Sequence, residues 1–261
     1  MKTFTIDHMI VHMLNSNEAL GQRAADDFAT LISQISDKQG HATAILATGN
    51  SQLTFFSSLV KKSIPWDEVT VFHMDEYLGM SDQHPASFAR YIRERLVDYV
   101  HPAAFYPMRG DSSDVEKELT RYSGLIRKFS PDVCVLGIGE NGHLAFNDPP
   151  ADFDTKEVVH IVNLDLRCRQ QQVNEGHFPT IDDVPKQAIT LTVPALLSVR
   201  NVLAVVPEGR KAAAVKAALE GPVTEDYPAS ILRTKSHVTM YLDGESSSSL
   251  SMLRESDRDH A

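Results

Sequence analysis

The sequence predicts a single α/β domain in which a mainly parallel, Rossmann-like sheet is covered by helices on both faces, giving three layers. The chain has 261 residues, 42% of them hydrophobic, which is enough for one large core. Short, nearly continuous apolar runs alternate with helical patterns, as expected for strands that are buried on both faces. We expect the domain to span residues 1–243. The serine-rich and then charged residues 244–261 are predicted to be a frayed tail or a peripheral helix.

The elements can be predicted in order along the chain. Apolar residues recur at helical spacing from Leu20 to Ile35, and Gly40 ends this helix. The β-type runs are residues 42–46, 69–74, 133–137, 158–162, 189–193, 202–206 and 238–242. The clearest further helical patterns are residues 51–62, 86–100, 115–129 and 210–220.

Composition narrows the possible partners. A formal net charge of -10 disfavours nucleic acid and anionic membranes, because both require a basic surface. An anionic small molecule remains compatible, since a few local groups can hold it. The two cysteines, Cys134 and Cys168, suggest neither a disulfide framework nor a zinc site, and we expect a reducing, cytoplasmic environment. No stretch approaches the roughly 20 apolar residues of a membrane helix.

In a parallel α/β sheet, ligands bind beyond the carboxyl ends of the strands, so loops that directly follow strands are the first candidates. ILATGNSQLTFF places Thr48, Gly49, Asn50 and Ser51 between a strand and a helix. Such a turn can direct backbone N–H groups at a phosphate. The alternative is an ordinary turn capped by Asn50 or Ser51. The GxxxxGK[ST] pattern of a nucleotide P-loop is absent from the sequence.

A second candidate loop contains the adjacent acids Asp75 and Glu76, which end the β-type run of VTVFHMDEYLG. A carboxylate that is partly desolvated at a strand end can act as a base that abstracts a proton. Adjacent acids also commonly face solvent, and the local sequence leaves both interpretations open.

The third candidate, VCVLGIGENGHLAFNDPP, has the G-x-G-x-x-G spacing at Gly137, Gly139 and Gly142. A dinucleotide site requires these glycines to open a long helix, but Pro149 and Pro150 prevent one here, so we reject a cofactor loop.

The same stretch carries His143, flanked by Asn141 and Asp148. The glycines would then allow a tight turn and close approach of a substrate at Gly139. Histidine can move a proton near neutral pH once a neighbouring carboxylate or amide fixes its tautomer. A capped, buried histidine with no chemical role is the alternative.

Together and in this order, the three loops resemble the glucosamine-6-phosphate deaminase family. ATGNS resembles its phosphate loop, FHMDEY its catalytic acid strand and GIGENGHLAFNDP its ring-opening motif. AITLTVPALL, GRKAAAVKAALEG and PASIL are similar to its C-terminal third, so the resemblance covers about residues 40–243.

The resemblance implies conversion of an amino-sugar 6-phosphate and water to fructose 6-phosphate and ammonia, in N-acetylglucosamine catabolism, with neither a metal nor an organic cofactor. By motif position, His143 would open the pyranose ring, with Asn141 and Asp148 orienting it. Asp75 would move the proton from C2 to C1. Family members often carry glutamate in place of Asp148, so this side chain is one methylene shorter.

For the substrate phosphate, the resemblance implies the loop from Thr48 to Ser51 and also Lys211. Glu76 is a further candidate contact, although a structural role ranks higher for it. LRCRQQQVNEGHF replaces the family stretch that holds a phosphate-binding arginine. Arg169 is the first candidate for that role, followed by Arg167 and His177.

Two other functions share this fold. The 6-phosphogluconolactonases hydrolyse a sugar lactone and have a related glycine-histidine loop, but they need no base at C2. A sugar-phosphate sensor without catalysis is the second alternative, although the chain has no room for a DNA-binding domain before Gly40. The sequence leaves assembly into a homo-oligomer open.

Overall fold

The computed structural model describes residues 1–251, which fold around two β-sheets. The strands are β1 (Lys2–Ile6), β2 (Met9–Met13), β3 (Ala42–Leu46), β4 (Val69–His73), β5 (Asp75–Tyr77), β6 (Ala104–Tyr106), β7 (Val133–Leu136), β8 (Val159–Asn163), β9 (Gln187–Leu191), β10 (Asn201–Val206) and β11 (Val238–Leu242). The helices are α1 (Asn17–Gln39), α2 (Leu53–Leu59), α3 (Phe88–Ile92), α4 (Asp98–Val100), α5 (Val115–Phe129), α6 (Leu166–Asn174), α7 (Val193–Leu197) and α8 (Ala212–Glu220). A π-helical turn, Arg93–Val97, joins α3 to α4.

The main sheet has eight strands in the order β1-β2-β11-β10-β7-β3-β4-β6. Every neighbouring pair is parallel except the β1–β2 hairpin at one edge, which confirms the predicted mainly parallel sheet. The four central strands β10, β7, β3 and β4 lie side by side. Their carboxyl ends therefore form one continuous edge of the sheet.

Two apolar layers cover the main sheet, because successive strand residues face opposite sides. On β7, Val133 and Val135 pack against α1 and α2, whereas Cys134 and Leu136 face α5, α7 and α8. Helix α1 begins at the N-cap Ser16 and ends at Gly40, whose φ of 75° is left-handed. These layers confirm the predicted three-layer architecture.

The second sheet is a short antiparallel one with the order β5-β9-β8, and it includes two of the predicted strands. The chain leaves the main sheet at Met74, between β4 and β5, and β5 pairs instead with β9. Strand β6 and the hairpin of β1 and β2 were not predicted. The burial of β1 is mostly low, so the hairpin lacks the continuous apolar run of a central strand.

The predicted tail begins at Gly244, and the structure describes it only as far as Ser251. Residues 244–249 form turns, and Leu250 is fully buried in the core. The remainder of the tail, residues 252–261, lies outside the described residues. Within the described part of the chain, none of the helices has the length and apolar character needed to cross a bilayer.

Candidate active site

The candidate active site is a cleft at the carboxyl ends of the central strands. The loops after β3, β4, β7 and β10 all contribute to it, because these strands are neighbours in the sheet. The cleft contains about 590 Å³ of space, part of it continuous with solvent. Its lining includes Thr48, Gly49, Asn50, Ser51, Asp75, Gly139, His143 and Lys211. Three sequence-distant loops and the predicted lysine therefore meet in one place.

The turn after β3 is shaped by Gly49, whose φ of 98° is readily adopted only by glycine. Residues Asn50–Gln52 form a 3-10 turn that leads into α2. Within the described chain, no side chain caps this turn, in contrast to the alternative interpretation as an ordinary capped turn. The Tyr91 hydroxyl donates a hydrogen bond of 2.9 Å to the Gly49 carbonyl and holds the loop from outside the cleft.

Asp75 lies where the chain crosses from the main sheet to the second sheet, opposite Thr190 of β9. The residue is 6% exposed, and it lines the cleft. Burial raises the pKa of Asp75 well above its ordinary value, and the nearby charge of Glu76 raises it further. A desolvated carboxyl group with a raised pKa has the properties of a general base.

Glu76 is not among the cleft-lining residues, which corrects the candidate contact with substrate and leaves the structural role that ranked higher. Its carboxylate accepts hydrogen bonds from the Ser87 hydroxyl and from the backbone N–H groups of Tyr77, Phe88 and Ala89. Two of these N–H groups belong to the first turn of α3, where they have no partner within the helix. Burial raises the pKa of Glu76 to about 7, although these hydrogen bonds oppose the shift. Glu76 therefore fixes the start of α3.

The loop after β7 brings His143, Asn141 and Asp148 together. Nδ1 of His143 lies 3.2 Å from Oδ1 of Asp148, an ion-pair distance with a poor hydrogen-bond angle. The Asn141 amide donates to the same Oδ1 at 2.9 Å, and the backbone N–H of His143 donates to Oδ1 of Asn141 at 3.1 Å. Despite its short side chain, Asp148 reaches the imidazole.

Asp148 keeps its negative charge in this arrangement. Burial alone would raise its pKa, but the contact with the His143 imidazole and the hydrogen bond from the Asn141 amide outweigh burial and lower it. A charged Asp148 beside Nδ1 favours the neutral imidazole tautomer with hydrogen on Nδ1. His143 can therefore present Nε2 to a substrate. Asn141 and Asp148 are not among the cleft-lining residues, and each contacts His143 from behind.

The local structure of this loop requires glycine at two positions, Gly139 and Gly142, without a bound dinucleotide. A Cβ atom on Gly139 would lie 2.2 Å from Cε1 of His143, so any side chain at this position would displace the imidazole. Gly142 has a φ of 88°, which permits the tight turn before His143.

Lys211 ends a 3-10 turn, Gly209–Lys211, that follows β10. It is 3% exposed and lines the cleft. Burial lowers the pKa of Lys211, and the neighbouring Arg210 lowers it further. The turn is preceded by Glu208, which has a φ of 79° that is unfavourable for a residue with a side chain.

Arg169 does not reach the cleft either, which corrects the predicted phosphate arginine. Its guanidinium donates from Nη2 to the backbone carbonyls of Ile181 and Val184, and the residue is 7% exposed. Arg167 lines a separate cavity beside Asn141. His177 contacts Glu175, with 3.4 Å between Nε2 and Oε2.

Helix α6 and its C-terminal end supply cleft residues that the sequence analysis missed: Gln171, Gln172 and Glu175. The sequence did not predict this helix, because its residues are mostly polar and lack a strong apolar periodicity. Cys168 of α6 and Phe178 nonetheless pack into a third apolar cluster with Tyr77, Phe88 and Phe146. This cluster holds α6 over one side of the cleft.

Among the described residues, one group of side chains has the composition of a metal site: His143, Asp148 and Cys168, whose ligand atoms lie within 4.8 Å of one another. Burial raises the pKa of the Cys168 thiol, and Oδ1 of Asp148 already accepts a hydrogen bond from the Asn141 amide.

The family model of glucosamine-6-phosphate isomerases/6-phosphogluconolactonase matches residues 15–241. The chain belongs to this family. It is 38% identical over 206 residues to a glucosamine-6-phosphate deaminase of Exiguobacterium sibiricum, covering 79% of this chain and 80% of that protein. It is 34% identical over 238 residues to glucosamine-6-phosphate deaminase 1 of Bacillus subtilis, covering 88% of this chain and 95% of that protein.

Solved structures of family members have the same fold. A glucosamine-6-phosphate deaminase described as monomeric superposes with a TM-score of 0.85 at 32% identity, covering 92% of this chain and 99% of that one. A 6-phosphogluconolactonase from Shewanella baltica has a TM-score of 0.76 at 22% identity, covering 92% and 100%, which is evidence for the fold alone. The expected family and fold class are confirmed.

Proposed function

We propose that this protein is a deaminating isomerase that converts an amino-sugar 6-phosphate, glucosamine 6-phosphate in the first instance, and water to fructose 6-phosphate and ammonia. The observation that carries the proposal is that Asp75 and His143, in the segments that follow β4 and β7, line one cleft with Lys211 and the loop after β3. The relatives named glucosamine-6-phosphate deaminase support the choice of substrate.

The substrate phosphate would bind at the loop from Thr48 to Ser51 and at Lys211, because these groups combine polar donors with a buried cation. Anchoring a group that does not react fixes the sugar relative to the two proton-transfer residues. Such positioning accounts for a large part of the rate enhancement in many enzymes.

Ring opening is assigned to His143. The ring opens when the C1 hydroxyl loses a proton and the ring oxygen gains one, and an imidazole can perform both transfers. Asp148 stabilises the charged imidazolium between the two transfers, and Asn141 fixes Asp148. The product of this step is the open-chain 2-amino aldehyde.

Isomerisation is assigned to Asp75, which removes the proton from C2 and delivers it to C1. The electron pair moves through an enolamine, and the result is the 2-imine of the ketose 6-phosphate. Addition of water to this imine and loss of the amine give fructose 6-phosphate and ammonia, so the overall reaction is also a hydrolysis. The two proton-transfer residues occupy different environments, as separate acid and base roles require.

Lactone hydrolysis by a 6-phosphogluconolactonase is the second candidate, and the shared fold is the observation in its favour. That reaction needs no base at C2. A buried, cleft-facing Asp75 with a raised pKa is explained by the deaminase reaction and not by lactone hydrolysis.

The test is to incubate the protein with the 6-phosphates of glucosamine, galactosamine and mannosamine, and with 6-phosphogluconolactone, while measuring ammonia, ketose phosphate and acid release. We expect ammonia and fructose 6-phosphate in equal amounts from glucosamine 6-phosphate. Asp75→Asn should abolish exchange of the C2 proton with solvent while the variant still binds substrate. Lactone hydrolysis without ammonia release, or full turnover by Asp75→Asn, would contradict the proposal.

We also propose a cytoplasmic location in amino-sugar catabolism. Both cysteines are free and buried, a pattern that suits a reducing compartment.

A further inference from the structure

An acidic side chain lines the part of the cleft where a phosphate is expected. Glu175, at the C-terminal end of α6, lines the cleft together with Lys211 and the loop after β3. Its backbone carbonyl accepts a hydrogen bond of 3.3 Å from the Asn50 side chain, so Glu175 directly contacts that loop. A carboxylate here would repel the substrate phosphate.

The partners of Glu175 are groups that also bind phosphate well. Oε1 of Glu175 lies 2.6 Å from Nη1 of Arg210 and accepts a hydrogen bond of 2.7 Å from the Gln171 amide. Oε2 lies 3.4 Å from Nε2 of His177. Guanidinium and amide groups donate to phosphate oxygens in the same way as to a carboxylate.

Arg210 is surrounded by more negative charge than it can neutralise. Besides Glu175, it contacts Oε2 of Glu208 at 2.5 Å and Oε1 of Glu140 at 3.4 Å. Arg210 itself is not among the cleft-lining residues, whereas Glu175 is. Glu175 therefore lines the space that a substrate would fill, and the guanidinium that its carboxylate binds does not.

We propose that Glu175 sets the affinity for substrate by competing with the substrate phosphate for Arg210, which becomes a second phosphate-binding cation when Glu175 gives way. The inference rests on the proposed function, because it takes the ligand to be a sugar phosphate. It also gives Arg210 the phosphate-binding role that was expected of Arg169, whose guanidinium binds backbone carbonyls instead.

The physical reason is the balance of charge at this end of the cleft. With Glu175 in place, its negative charge offsets part of the attraction between Lys211 and a phosphate dianion. Removing the Glu175 charge leaves Lys211 uncompensated and releases Arg210 from one of its three carboxylates. Each change favours an anion.

The experiment measures binding of glucitol 6-phosphate by calorimetry, because this hexitol phosphate has no carbonyl group and cannot react. Glu175→Gln should bind it about tenfold more tightly than the wild type, a difference of about 1.4 kcal/mol. The matched control is Glu140→Gln. Glu140 contacts the same nitrogen of Arg210, but its side chain is 39% exposed. The dissociation constant of the hexitol phosphate for Glu140→Gln should therefore stay within about twofold of the wild-type value.

Arg210 is tested separately. The gain from Glu175→Gln should disappear in the Glu175→Gln, Arg210→Met double variant, and Arg210→Met alone should weaken binding about tenfold. The single Arg210 variant also provides a measurement if Glu175→Gln fails to fold, which thermal unfolding would reveal. The inference would be overturned if Glu175→Gln bound the hexitol phosphate no more tightly than the wild type, or if Glu140→Gln gained as much affinity as Glu175→Gln. Unaltered binding by Arg210→Met would overturn it as well.

The two proposals fail in different ways. Ammonia release by the wild type without tighter binding by Glu175→Gln would preserve the proposed function and refute the competition. Tighter binding of the hexitol phosphate by Glu175→Gln, without ammonia release from any amino sugar by the wild type, would preserve the competition and refute the proposed function.

Discussion

Gly139→Ala is expected to impair catalysis while leaving the fold intact. The new Cβ would lie 2.2 Å from Cε1, 2.3 Å from Nε2 and 2.4 Å from Nδ1 of His143. Ordinary contact begins at 3.4 Å, so the imidazole must retreat by about 1 Å. The backbone at Gly139 has no positive φ, and alanine introduces no conformational strain of its own there.

The size of the effect follows from this displacement. A retreat of about 1 Å disturbs the 3.2 Å contact between Nδ1 of His143 and Asp148 and moves Nε2 away from the ring oxygen of the sugar. Misplacement of about 1 Å commonly costs about 100-fold in rate, so kcat should fall by about that factor. Overpacking should cost about 1–3 kcal/mol of folding free energy.

The assay combines ammonia release, binding of glucitol 6-phosphate and thermal unfolding. Gly137→Ala is the matched control in the same loop, since its Cβ would lie 3.2 Å from Nε2 of Gln52, a much milder contact. We expect this control to lose less than about fivefold in kcat, because Gln52 must move by only a few tenths of an ångström whereas His143 must move by about 1 Å. Equal losses in the two variants, or unchanged kcat in Gly139→Ala, would refute the assignment of ring opening to His143.

Three further predictions concern binding, acid stability and helix stability. Lys211→Ala should raise KM by about 100-fold with a smaller change in kcat, because it removes a contact to a group that does not react; an unchanged KM in steady-state assays would contradict the assigned phosphate site. The folded-state pKa of Glu175 is lowered to about 2 from an ordinary value of 4.5, since bonds from His177, Arg210 and Gln171 outweigh burial. This depressed pKa contributes stability that is present above pH 4.5 and is lost as the pH falls towards 2, at most about 3 kcal/mol, and denaturant titrations should show a smaller loss in Glu175→Gln. Gly124 is an exposed residue within α5, and a Cβ added there would have no heavy atom within 4 Å. Gly124→Ala should therefore stabilise the protein by about 0.5–1 kcal/mol, because alanine has the higher helix propensity. A lower melting temperature of the variant would contradict this prediction.

The sequence predicted the central sheet because its strands are buried on both faces and appear as nearly continuous apolar runs. Strands β3, β4, β7, β10 and β11 all lie where these runs predicted them. The second sheet could not be predicted in the same way. Strands β8 and β9 have β-type sequences, but the departure of the chain from the main sheet at Met74 decides which partners they pair with.

The candidate site was predictable where the chemistry is local. The short stretches around Asn50, Asp75 and His143 each place polar groups directly after an apolar strand, and neighbouring parallel strands bring these loops together. The role of Glu76 was not predictable, because its four hydrogen-bond donors include residues of a helix more than ten positions further along the chain.

By itself, therefore, the sequence determined the three-layer architecture and the loops that could carry chemistry, since burial and turn formation leave local patterns. Only the tertiary structure decided which charges face the cleft. Arg169 and Glu175 lie in the same polar segment, yet the packing of α6 binds the Arg169 guanidinium to backbone carbonyls and leaves Glu175 lining the same cleft as Lys211. The direction in which a long polar side chain points depends on partners that fold against it from distant parts of the chain, and no local pattern records them.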